Sequence, residues 1–126
     1  MVQTDISQLT SETAEWRQIL RNYRDEFTEC KKLLSENCRQ TLSKDQLREV
    51  EHFDNQFHIQ LINIHDVKQE IKQHEKKVTL ELGQNDYVSG ETYANHQRLL
   101  DSFLSLENRL QQLRNDFRDF INATNC

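Results

Sequence analysis

The chain has 126 residues, enough for one domain, with no proline and only two glycines, Gly83 and Gly90, a composition that favours long uninterrupted helices. Its formal net charge is −5, with Lys and Arg scattered among Asp and Glu, so no basic face is available to neutralise a phosphate backbone and no nucleic acid partner is expected. A hydrophobic content of 35% against 29% charged residues is thin for a compact globule and suits an elongated bundle in which each helix buries one stripe.

The first residues, MVQTDISQLT, carry acidic and polar groups where a signal peptide needs a basic start and an apolar run, and no window approaches a membrane span. The chain therefore reads as soluble and cytoplasmic, with no membrane partner. Cys30, Cys38 and Cys126 are too widely spaced for a metal-ligand pattern, and an odd count argues against a secreted disulfide framework.

A first helix is expected from about residue 5 to 38, opened by Asp5 as a cap for Gln8. Ile6, Leu20, Phe27 and Leu34 fall at heptad position a, with Leu9, Trp16, Tyr23 and Cys30 at d and Thr13 as the one polar a residue. Residues 37–42 form a short connection, which forces the next helix to run antiparallel.

The second helix, about 44 to 82, is the central rod. Val50, Phe57, Ile64, Ile71 and Val78 recur every seven residues, with Phe53, Val67 and His74 three residues after three of them. Ser43 and Gln46 make a capping box at its start, and Leu42 with Leu47 a hydrophobic staple. Gly83 is the expected left-handed C-terminal cap. The segment GQNDYVSG then forms a loop whose Tyr87 and Val88 fold back over the end of the bundle.

The third helix is expected from about 90 to 123, with His96, Phe103, Leu110 and Phe117 at a and Leu99, Leu106, Leu113 and Phe120 at d. These lengths and loops predict one all-α domain over 1–126, an elongated antiparallel up-down-up three-helix bundle with heptad seams. In that pairing Phe53 meets Phe117, Ile64 meets Leu106 and His74 meets His96. With Trp16 on the first helix and three heptad helices of comparable length, the pattern resembles spectrin-like three-helix repeats.

His74 and His96 meeting in one layer of an apolar seam form the sharpest local feature, because a buried imidazole costs desolvation unless its nitrogens find partners. Three readings follow: a neutral hydrogen-bonded layer that fixes register, a pH-sensitive layer in which two imidazolium ions repel, or a metal site. The last has two of the four ligands a structural zinc needs, and Glu70, Glu75 and Thr92 are not expected to aim inward. Glu49-Val-Glu-His52 has the Glu-x-x-His spacing of di-iron bundles, but one copy stands where two are required.

No Ser-His-Asp grouping, phosphate loop or Cys-x-x-Cys pair is present, and a narrow bundle leaves little room for a pocket, so no catalytic residue, cofactor or small-molecule substrate is expected. His58 and His65 fall off the seam, as solvated positions. The middle of the rod is apolar around most of its circumference. Ile59 and Ile62 lie away from the seam, and Leu104 lies off the seam of the third helix, which predicts a protein interface and self-association, most simply a dimer. Cys38 and Cys126 are expected at the same end of the bundle, free thiols in a reducing compartment and a possible disulfide under oxidation.

Overall fold

The computed structural model of the chain describes residues 6–37 and 43–124, which form three α-helices: α1 Ile6–Asn37, α2 Lys44–Asn85 and α3 Gly90–Thr124. The start of α2 follows directly from local chemistry. The Ser43 side chain accepts the Gln46 amide at 3.2 Å, and the Gln46 side chain accepts the Ser43 amide at 3.0 Å, a reciprocal capping box. The start of α3 uses the same device in part, with Ser89 Oγ accepting the Thr92 amide at 3.2 Å. The expected cap at Asp5 and the staple residue Leu42 lie outside the described residues.

Side-chain contacts fix the topology. Between α2 and α3, Phe53 meets Phe117 with ring centroids 5.5 Å apart and His74 meets His96 at 5.2 Å, so residue numbers rise on one helix as they fall on the other. Between α1 and α2, Phe27 meets Phe57 at 4.9 Å and Arg17 meets Glu75 at 2.8 Å, again antiparallel. Between α1 and α3, Trp16 stacks on Phe103 and Glu26 holds Arg114, which makes those two parallel. The bundle is therefore up-down-up.

The seam residues form the core. Leu20, Phe27, Leu34, Val50, Phe57, Ile64, Ile71, Leu106 and Leu110 are fully buried. Val67, Leu99 and Phe120 are only partly buried and pack against this core from its margin. Gln60, at a d position of α2, is a buried polar residue inside the seam. Its side-chain oxygen accepts from Asn63, which explains how an amide is tolerated there.

A second, smaller cluster joins Leu9, Val78 and Val88 at the end of the bundle beside the α2–α3 loop, with Ile6, Leu82 and Tyr93 against it. The residue pair expected to close this end divides: Val88 is buried, whereas Tyr87 is 62% exposed. Gly83 is not the cap of α2. The helix continues to Asn85, and Asp86 takes the left-handed conformation with φ 62°, its amide bonded to the Leu82 carbonyl. Aspartate tolerates that conformation better than most residues because its short polar side chain bonds locally.

Gly83 thus sits in helical backbone without positive φ, and a Cβ there would meet nothing within 4 Å. Gly83→Ala should therefore raise stability by up to about 1 kcal/mol, measured by denaturant titration. A loss of stability on that substitution is what a left-handed glycine cap would give instead.

Candidate functional site: a buried histidine layer

The two hydrophobic clusters are separated by a polar layer to which all three helices contribute. α1 supplies Glu12 and Thr13, α2 supplies His74 and Glu75, and α3 supplies His96. Both imidazoles are buried, at 6% and 5% exposure. The helical heptad puts each there for the same reason it puts Ile71 and Phe103 there: they occupy seam positions.

His74 Nε2 lies 3.0 Å from His96 Nδ1, and His96 Nε2 lies 2.7 Å from a Glu12 carboxylate oxygen. The second contact decides the tautomers. A carboxylate only accepts, so His96 donates from Nε2 and, when neutral, presents a bare Nδ1. His74 must then donate from Nε2, leaving its own Nδ1 as an unprotonated lone pair. That nitrogen is buried and has no hydrogen-bond partner among the described residues. The other Glu12 oxygen accepts from Gln8 at 2.9 Å, and the Trp16 ring lies 4.8 Å from that of His96, forming the floor of the layer.

Glu75 anchors the opposite side. Its carboxylate is within 3.1 Å of the Thr13 hydroxyl and 2.8 Å of Arg17. Thr13 also lies within reach of the Leu9 and Thr10 carbonyls, so its single hydroxyl hydrogen has an acceptor on either side. Toward the loop, Glu81 accepts the Ser89 amide at 2.7 Å and the hydroxyl of Thr92 in a short contact. Thr92 is fully buried, so it points inward, contrary to the expectation from sequence. Hydrogen bonds from Thr92 and Ser89 hold the Glu81 carboxyl below its ordinary value.

As for metal, no group of three His, Cys, Asp or Glu side chains among the described residues is placed to hold an ion. His74 borders two open grooves, one between α2 and α3 with Lys77, Asn95 and Arg98 and a smaller one between α1 and α2 with Thr13 and Glu75. The Glu49 and His52 carboxylate and imidazole are solvent-exposed, as are His58 and His65. Cys30 is half-buried, its thiol pushed up to about 11 by burial and then by Glu26, which makes it an unreactive packing residue. Cys38 and Cys126 lie outside the described residues.

Of the residues singled out by sequence, the fold brings His74 and His96 together and leaves Ile59, Ile62 and Leu104 exposed at 39%, 48% and 46%. Glu12 and Glu81 were not singled out, although Glu12 completes the polar layer and Glu81 holds the turn into α3. Glu12 had one signal: it flanks the seam of α1 at the level where the bundle pairing places the histidines. Glu81 had none, since its partners are reached only through the turn at Asp86. No helix among the described residues is long and apolar enough to cross a membrane. No protein-family model, curated protein or solved structure matches the chain.

Burial, then the neighbouring His96, pulls the His74 pKa below its ordinary 6.5. The hydrogen bond from His96 pulls Glu12 below 4.5. Both signs point the same way. A depressed histidine contributes stability that is complete above pH 6.5 and is lost as pH falls from there toward the folded value, and the depressed carboxyl adds a loss at still lower pH. Thermal unfolding should therefore show a falling midpoint from pH 7 to pH 5, at up to about 1.4 kcal/mol per pH unit for each extra proton the unfolded chain binds. His74→Leu with His96→Leu should flatten that decline; an unchanged decline would remove the histidines as its source.

Proposed function

We propose that the chain is a protein-interaction module without a catalytic role, which self-associates through the outward side of α2. One observation carries the reading: Ile59 and Ile62 stand on consecutive positions of one helical face, i and i+3, turned away from the Ile64 seam and both more than a third exposed. Single exposed apolar residues are ordinary, whereas a pair on one face of a rod between polar neighbours supports a contact surface.

A second copy of the chain is the occupant that the position favours. The pair lies near the middle of the 42-residue α2, so a two-fold axis crossing there lets the same stretch of both rods lie side by side. Ile59 of one copy then faces Ile62 of the other, and Asn55 faces Asp66 rather than carboxylate facing carboxylate. Leu104 is on another helix, off the seam of α3 and 46% exposed, and forms a separate, smaller contact point.

A second reading is favoured by the His74–His96–Glu12 chain, which crosses all three helices in the core: the bundle responds to pH through its polar layer.

Sedimentation velocity separates the first reading from a solitary bundle. Wild type should run as a dimer and Ile59→Glu with Ile62→Glu as a monomer with unchanged helical circular dichroism. A wild type that stays monomeric at high concentration ends the proposal.

A further inference from the structure

We infer that the His74–His96–Glu12 chain is a one-proton site: it accepts a single proton at His74 Nδ1, keeps every hydrogen bond on doing so, and passes the positive charge to the ring beside Glu12. This inference rests on the reading that the layer responds to pH, and gives that response its stoichiometry.

Four ring nitrogens are available, and the geometry assigns each. The gap of 3.0 Å between His74 Nε2 and His96 Nδ1 holds one hydrogen, because only one of two facing nitrogens can donate. His96 Nε2 keeps its hydrogen for Glu12, 2.7 Å away. The neutral pair therefore carries two ring hydrogens, and the bare nitrogen is His74 Nδ1, without a partner among the described residues on a side chain more than nine-tenths buried.

A proton bound there makes His74 an imidazolium with its donation to His96 intact. The hydrogen in the gap can then cross: the N–H bond at His74 Nε2 breaks as one forms at His96 Nδ1. His74 is left neutral, protonated at Nδ1, and the charge sits on His96 against the Glu12 carboxylate. The proton is conserved and both arrangements retain all the contacts. A second proton has no such place. It requires hydrogens on both facing nitrogens, which destroys the bond between the rings and sets two cations 5.2 Å apart, centroid to centroid.

The charged surroundings favour one positive charge and resist two. From α1, Glu12 faces His96, and Arg17 is already engaged by Glu75. From α2, Glu75 and Glu81 favour a charged His74 while Lys77 opposes it, and Glu70 lines the adjoining groove. From α3, Arg98 lines that groove from the other side.

The test is a nitrogen-15 NMR titration of the imidazoles in the whole protein from pH 8 to pH 5. At pH 8 both rings should be protonated at Nε2 alone. On acidification His74 Nδ1 should gain a hydrogen, His96 Nε2 should keep its own, and the folded spectrum should persist with one proton on the pair. Uptake of the second should coincide with loss of the native signals at the loop end. In Glu12→Gln, which keeps an acceptor but removes the charge, proton uptake should weaken at least about tenfold, one pH unit. A His74 ring protonated at Nδ1 at pH 8, or two imidazolium rings in a folded spectrum, overturns the inference. Should Glu12→Gln not fold, the wild-type titration alone decides. A pH-dependent unfolding midpoint with two charged rings in the fold sinks only the one-proton site; a midpoint independent of pH sinks the reading beneath it.

Discussion

The structure depends on one requirement, that two imidazoles placed in an apolar seam meet each other and Glu12. The groups that meet them come from three helices, so only one longitudinal alignment of the rods satisfies the layer. Most of the rest of the seam is aliphatic or aromatic, with Thr13 and Gln60 as buried polar exceptions, and such a surface accepts a seven-residue slip with modest repacking. A slip of α3 that set Phe103 against His74 would strand both rings and Glu12, and a buried polar group left without a partner costs about 1–3 kcal/mol. The layer thus penalises wrong registers that the hydrophobic residues alone would tolerate.

The same layer accounts for how α1 and α3 relate. Those two helices approach each other least closely, and large side chains bridge the space between them. Trp16 lies against His96 and Phe103, while Tyr23 carries the Arg114 guanidinium 4.6 Å above its ring. Glu26 holds the same guanidinium at 3.1 Å. This third face is closed by aromatic rings with polar tips, and such pairings add to the burial of the rings themselves. Each of these side chains on α1 is set by the heptad, so the face they close was implied by the seam even though its closure was not.

The sequence made the architecture legible because periodicity and caps act locally. Val50, Phe57, Ile64, Ile71 and Val78 repeat strictly, and Ser43 with Gln46 marks the start of α2 by hydrogen bonds within four residues. The meeting of His74 with His96 could be read for the same reason, since it is arithmetic on an antiparallel hairpin. What could not be read depends on geometry between elements. Gly83 looked like the cap because glycine is the usual left-handed residue, but the helix continued to Asn85, and Asp86, nearly a full turn later, took that role. Glu12 gains its part only when α1 is laid against the other two helices, and the buried Thr92 gains its inward direction from the turn that Glu81 holds closed.

Because the polar layer cuts the core in two, the bundle is not one block of uniform cohesion. Leu9, Val78 and Val88 form a small oily knot at one end, tied to the main body by the histidine pair and by carboxylates rather than by continuous apolar packing. Local opening of such an end costs less than global unfolding, so the amides of these residues are expected to exchange with solvent ahead of those around Phe27 and Phe57. A bundle built this way has its natural breakpoint at the polar layer, with the small knot on one side and the main body on the other.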